Sequence, residues 1–275
     1  MSARVPVRRA AGQARRGRSI RRASAGLSPL RAGAILVILL SAAATYGVSA
    51  SSVFGFRHLV VDGARYTSTT AVEHALDLTD GENLFTLSTD NLATPLRTLT
   101  TVRDAAAVVE LPDTVRVRLT ERAAVLVWAI GDRRYLVDRD GVLFASLDVA
   151  PDAAAALRTV DDRRATSLSL TIGDTLDAVD LDAATRLGSL VPADVGSAAS
   201  GLSIAVDDEG GFTVSSAPAG WTATFGFYTP TLRTPDLVSA QVRLLRSLIG
   251  RVGEAKVATV LLADATNGTY TTRKP

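Results

Sequence analysis

The sequence predicts an α+β protein on a single N-terminal membrane helix, and three features of the 275-residue chain point there. A 25-residue stretch, 32–56, carries no formal charge. After it comes a short unit ordered strand, helix, helix, strand, strand. A longer region follows in which strands dominate around one long helix. The last two features rest on apolar spacing, with a period of about 2 for half-buried strands and about 3.6 for amphipathic helices.

The uncharged stretch opens with Ala34-Ile-Leu-Val-Ile-Leu-Leu40. Spanning a bilayer takes about 20 apolar residues at a rise of about 1.5 Å each. Ser41, Thr45, Ser49, Ser51 and Ser52 dilute the second half, so the expected span is Ala32 to Val53, with Tyr46 and Phe54 towards the outer interface. Nine arginines lie in the first 31 residues, and no Asp or Glu occurs before Asp62. By the positive-inside rule the amino terminus is then cytoplasmic and the remainder outside. Val48-Ser49-Ala50 before Ser51 also has the small-residue pattern of a signal-peptidase site. The 31-residue basic lead is long for a signal peptide and favours a retained tail, disordered by composition and suited to anionic headgroups.

Charge position narrows the function classes. The pI near 9.2 would suit a nucleic-acid binder, but removing the nine tail arginines leaves 21 basic against 28 acidic side chains, a formal charge of −7. The folded part is therefore acidic. An aromatic content of 5% also leaves little surface for stacking bases or sugars. With no cysteine, disulfides, thiolate catalysis and thiolate metal sites are excluded.

Phe56 to Val61 reads as a strand closed by the Asp62-Gly63 turn. Thr67 to Thr70 precede a helical pattern through Val72, Ala75 and Leu76. A second short helix is expected through Leu92, Leu96 and Leu99, with Asp90 as its N-cap and Pro95 near its first turn. Val102 to Glu110 and Thr114 to Glu121 form a hairpin across Leu111-Pro-Asp113. In Val115-Arg-Val-Arg-Leu119 the strict alternation gives one face to a core and sends Arg116 and Arg118 to water.

These segments resemble the bacterial FtsQ/DivIB family. The resemblance is carried by Val61-Asp-Gly63, Gly81-Glu-Asn-Leu-Phe85, Val102-Arg-Asp-Ala105, Leu111-Pro-Asp-Thr114, Thr120-Glu-Arg122, Trp128 and Tyr135-Leu-Val-Asp-Arg-Asp-Gly141, in that order. It implies a POTRA domain (β-α-α-β-β), a module that engages partner proteins. The expected organisation is a basic tail over 1–31, a transmembrane helix over 32–53, the POTRA domain over 56–121 and an FtsQ-like, mainly antiparallel β domain with a long helix over 122–275.

In that last region Ala124 to Ile130, Arg134 to Asp138 and Gly141 to Phe144 read as strands. Ala153 to Leu157 is a short helix or loop, and Ala183 to Leu190 a helix. Gly201 to Val206, Gly211 to Ser215 and Trp221 to Phe227 are strands. The long helix is expected over Asp236 to Val252, with strands at Lys256 to Leu262 and Thr269 to Thr272. Trp221 to Phe227, this helix and the two strands after it follow the order of the family's β domain. Residues 145–200 show no pattern that aligns with it, and Leu261-Leu-Ala263 replaces the Asp-Leu-Arg-like end expected of the penultimate strand.

No catalytic constellation emerges. His58 and His74 lack metal-ligand spacing, and GxSxG, GxGxxG and P-loop motifs are absent. The pairs Asp138/Asp140, Asp161/Asp162 and Asp207/Asp208 could serve glycoside hydrolysis, but fall where turns are expected and Asp is favoured for its backbone hydrogen bonds. Asp138-Arg-Asp-Gly141 lacks the later ligands of a calcium loop, and Asn267-Gly-Thr269 reads as a turn. No enzyme activity, cofactor, metal, nucleic acid or small-molecule substrate is expected. What the resemblance implies is a divisome scaffold in the inner membrane, at the septum. It would bind an FtsB/FtsL (DivIC)-like complex through the strand Gly268, Thr269, Tyr270, Thr271 and Thr272, with Tyr270 as anchor. A POTRA-type transport or assembly factor and a membrane-tethered wall hydrolase are the rival readings.

Overall fold

A computed structural model describes residues 29–49, 51–149, 151–154, 156–217, 220–231 and 235–273. Most of the basic tail, residues 1–28, lies outside the described residues. The chain divides into two compact units, Met1–Ala50 and Ser51–Pro275.

In the first unit a 21-residue helix, α1 (Pro29–Ser49), is long and apolar enough to cross a membrane. It starts and ends earlier than the expected 32–53 span. Pro29 fits a first helical position, where no N–H is required. Two of the hydroxyls that dilute the second half bond within the helix: Thr45 Oγ1 donates to Ser41 O at 2.8 Å and Ser49 Oγ to Tyr46 O at 3.0 Å. Their polarity is thus met without water.

The second unit begins with β1 (His58–Asp62), α2 (Thr69–Leu76), α3 (Thr89–Leu96), β2 (Val102–Glu110) and β3 (Thr114–Glu121). The sheet order is β1-β3-β2, with β1 parallel to β3 and β2 antiparallel to it. Alternation in β3 buries Val115, Val117 and Leu119 against Val72 and Leu76 of α2 and Leu92 and Leu96 of α3. On the opposite face Arg116 links three elements, donating to Asp62 at 3.0 Å and to Glu110 at 2.6 Å. Gly63 turns the chain out of β1 at φ 83°, where a Cβ would lie 2.3 Å from Leu119 O, so only glycine fits there.

The start of α3 differs from expectation. Ser88 is the N-cap, its Oγ accepting from Asn91 N, and Asp90 sits in the first turn where its charge suits the helix dipole. Pro95 lies in the last turn rather than the first, and the helix ends at Leu96.

The remaining elements are β4 (Ala124–Ile130), β5 (Arg133–Asp138), β6 (Leu143–Ser146), α4 (Pro151–Ala154), β7 (Thr159–Asp162), α5 (Ala178–Gly188), β8 (Gly201–Asp207), β9 (Gly211–Ala217), β10 (Thr222–Gly226), α6 (Pro235–Val252), β11 (Val257–Leu262) and β12 (Gly268–Thr272). Their nine strands form one sheet in the order β12-β11-β10-β9-β8-β7-β4-β5-β6. Most neighbours are antiparallel; β4–β7, β7–β8 and β10–β11 are parallel. Helices α5 and α6 cover one face, closing a core built on Trp128, Val160, Ile204, Val214, Trp221 and Val260. The other face is buried near β4, β5 and β6, where Val127, Leu136 and Phe144 pack with Tyr66 from the first domain. Burial on both faces explains the unbroken apolar run of β4.

Strand β7 falls in the region where the sequence shows no pattern. It is held by parallel ladders on both sides and by a buried carboxylate: Asp162 Oδ2 accepts from Trp128 Nε1 at 3.0 Å and pairs with Arg164 at 2.8 Å. Asp161 and Asp162 therefore lie in a strand, not in the expected turn.

Candidate partner-binding edge

Strand β12 is one border of the nine-stranded sheet, paired among the described residues only with β11. Its register sets Leu261 opposite Thr269, Val260 opposite Tyr270 and Thr259 opposite Thr271. Just beyond the two ends, Ala263 N donates to Asn267 O at 3.0 Å and Arg273 N to Lys256 O at 2.9 Å. In an antiparallel ladder every second residue bonds the neighbour. Counting from either end, Thr269 and Thr271 turn their N–H and C=O groups towards β11. Those of Gly268, Tyr270 and Thr272 face away from the sheet, unpaired among the described residues. The border strand at the opposite end is covered: Leu143 of β6 exchanges backbone bonds with the 173–174 segment, at 2.9 Å from Leu143 N to Asp174 O and 2.8 Å from Gly173 N to Leu143 O.

Side chains alternate likewise. Thr269 and Thr271 lie on one face, where Thr271 Oγ1 is 2.6 Å from Thr259 Oγ1. Tyr270 lies on the α6 face and stays 47% exposed. On the same face Gly268 lets α6 approach. A Cβ there would stand 3.3 Å from Leu244 Cδ2, 3.3 Å from Leu248 Cδ1 and 3.3 Å from Leu261 O. The half-buried Leu244 and Leu248 thus floor a shallow apolar strip ending at Tyr270.

One carboxylate closes the turn at one end of this edge, and a second lies under the influence of Arg273 at the other. Asp264 closes the β11–β12 turn, accepting from Asn267 N at 2.7 Å, Asn267 Nδ2 at 2.6 Å and Thr266 N at 2.7 Å. Those donors, the Asn267 side chain foremost, hold its carboxyl well below the usual carboxylate range. At the other end burial pushes the Glu254 carboxyl up. Hydrogen bonds from Ser197 Oγ, Ala198 N and Trp221 Nε1, with the charge of Arg273, leave it below its ordinary value.

The other candidate groups are not brought together. His58 stands on β1, 3.8 Å from Asp113, and His74 is exposed in the last turn of α2. Asp138 is buried at the end of β5, accepting from Asp140 N and Val142 N at 3.0 Å each. Asp207 Oδ1 accepts from Gly210 N at 2.6 Å, and Asp208 accepts from Ala165 N at 2.7 Å. These carboxylates hold turns and segment ends. Among the described residues no three His, Asp or Glu side chains gather as a metal-ligand set.

A profile described as "POTRA domain, FtsQ-type" matches residues 54–122, the β1-α2-α3-β2-β3 unit. Cell division protein FtsQ of Chloroflexus aurantiacus is 28% identical over 250 residues, covering 90% of this chain and 81% of that protein. The chain is similar to the FtsQ family, in its POTRA domain and over most of its length. FtsQ of Mycobacteroides abscessus is 32% identical over 127 residues, 44% of this chain and 40% of that protein. FtsQ of Chloroflexus aggregans is 32% identical over 123 residues, 45% of this chain and 44% of that protein. With these two relatives the likeness spans less than half of either chain. These matches support a cell division protein with an FtsQ-type POTRA domain and a candidate N-terminal transmembrane helix.

Proposed function

We propose that the chain is a non-enzymatic divisome scaffold that receives a strand from an FtsB/FtsL-like partner along β12. It is anchored by α1 in the inner membrane at the septum, with its N-terminus cytoplasmic and residues 51–273 outside. The observation that carries this reading is the unpaired outer edge of Gly268, Tyr270 and Thr272 beside a half-exposed tyrosine. Such an edge offers a row of backbone donors and acceptors to an added strand, and alternate side chains supply specificity. Here the incoming strand would meet Tyr270 and the α6 leucines on one face and threonine hydroxyls on the other.

The test is capture of the organism's own FtsB/FtsL-like pair by the full-length protein and by variants. Ending the chain at Asn267 should abolish capture with the circular dichroism otherwise preserved. Tyr270→Pro is the sharper variant, because it deletes one outward N–H while sparing the bonds from Thr269 and Thr271 to β11. Undiminished capture by Tyr270→Pro would sink strand addition at this edge. No capture by the intact, folded chain would favour a transport or assembly role instead, since POTRA modules also serve there.

A further inference from the structure

We infer that the POTRA domain seats a small apolar wedge, Val53, Phe54 and Phe85, in the headgroup layer of the leaflet from which the chain emerges after α1. The rings of Phe54 and Phe85 meet edge to face, 5.1 Å apart between centroids. Phe54 is part-buried, yet Phe85 remains 51% exposed and Val53 60% exposed, so the cluster reaches the surface rather than the core. The domain's own backbone fixes it in place. Phe56 N donates to Glu82 O at 2.8 Å, Gly81 N donates to Phe56 O at 2.8 Å, and Gly55 bridges to Asn83. Phe85 is locked by Asn83 Oδ1, which accepts its N–H at 2.9 Å. The β2–β3 turn comes to the same end of the sheet: Arg57 N donates to Asp113 O at 2.9 Å, and Leu111 in that turn is half exposed.

The occupant follows from chain continuity. Val53 is the fourth residue after Ser49, the last residue of α1, and four residues reach at most about 14 Å. That chain length alone keeps Val53 within reach of the bilayer interface, where aromatic rings are favoured. The charges beside it set the depth. Arg57 is exposed and suits a lipid phosphate, while Asp80 and Glu82, a few residues before Phe85 in the chain, resist entry into hydrocarbon. The wedge is therefore shallow. It would hold the POTRA sheet at a fixed height over the lipid, and it does not depend on strand addition at β12.

The chain has no cysteine, so a single introduced thiol can be labelled without further changes. Full-length Thr86→Cys, carrying a nitroxide one residue from an intact Phe85, is placed in nanodiscs of phosphatidylethanolamine and phosphatidylglycerol. Its relaxation by oxygen, which favours lipid, is compared with relaxation by an aqueous nickel chelate. Leu168→Cys, exposed on the β domain, is the reference. The expected result is a several-fold higher oxygen-to-nickel ratio at Thr86→Cys, lost when Phe85→Ser is added. A ratio equal to that of Leu168→Cys, or one unchanged by Phe85→Ser, would overturn the inference. Failed capture at β12 would leave it standing.

Discussion

Arg122 Nη1 donates to Asp138 Oδ2 at 2.5 Å, joining the residue that leaves the POTRA sheet to a buried carboxylate at the end of β5. Arg122 also donates to Thr100 O at 3.0 Å. Beside it Glu121 accepts the backbone N–H groups of Arg65 at 2.8 Å, Tyr66 at 2.9 Å and Thr67 at 2.7 Å, and the Tyr66 ring meets Phe144 of β6 edge to face at 5.2 Å. The two domains thus meet at one place through a charge contact and a ring contact, with Glu121 holding the Tyr66 segment in position.

Breaking that charge contact has a defined cost. Arg122→Met leaves Asp138 buried without its cation, and removing one partner of a buried pair typically costs about 3–5 kcal/mol; partial exposure of Arg122 places this case near about 3 kcal/mol. Adding Asp138→Asn should recover most of the loss, because an amide oxygen can still accept from Asp140 N and Val142 N. Urea unfolding of wild type, both single variants and the double variant gives the coupling. Strictly additive losses would show that the pair does not bind the domains together.

Asp162 makes the sheet acid-sensitive. Burial pushes its carboxyl up, but the Arg164 and Ser167 side chains and Arg164 N bring it below the ordinary carboxylate value. A group whose folded pKa is depressed contributes stability above its unfolded pKa, near 4 for an aspartate, and loses it as pH falls through the folded value. Asp162→Asn should therefore destabilise at neutral pH by roughly 2–4 kcal/mol. The gap from wild type should narrow below about pH 4, as the native carboxyl also protonates. Denaturation curves at a series of pH values check the sign.

The same residue shows why part of the fold was not legible in the sequence. The strands β2, β3 and β4 announce themselves because one or both faces are buried and the apolar pattern records it. Strand β7 is Thr159-Val-Asp-Asp162, and only Val160 carries an apolar signal. Its placement depends on Trp128 and Arg164, distant or off-pattern partners that no local period reveals. Ser88 and Asp90 are both good caps two residues apart, and only the backbone geometry decides between them. At the candidate edge, Tyr270 and the threonines were legible by position. The approach of Leu244 and Leu248 to Gly268 was not, because a glycine in a strand leaves no trace of what packs over it.

Asp264 offers a way to loosen the edge without touching it. Its acceptors hold Thr266 and Asn267 in the turn that sets the β12 register. Asp264→Ala should speed hydrogen exchange at Thr269 and Thr271, whose amides face β11, and leave the POTRA amides unchanged. Because its carboxyl stays ionised far below neutrality, exchange in the wild type should be flat in this respect from about pH 5 to 8 once the intrinsic rate is removed. Unchanged protection in Asp264→Ala would assign the register to the β11 ladder alone.

Gly268 tests the contact between α6 and the open strand. An added Cβ would meet two leucine methyls and the Leu261 carbonyl, each at 3.3 Å. The methyl ends can yield by a few tenths of an ångström, so Gly268→Ala should be mild. Gly268→Val adds two further carbons on a stiff β-branched stem, and overpacking of this kind costs about 1–3 kcal/mol. The strain should fall on β12, which is held on one side only, and should weaken partner capture as well as stability. Leu244→Ala in the Gly268→Val background opens space beneath the new side chain and should restore part of both. Thermal unfolding and capture measured on the same four proteins decide the matter: if Gly268→Val melts like wild type, α6 does not set the position of the edge.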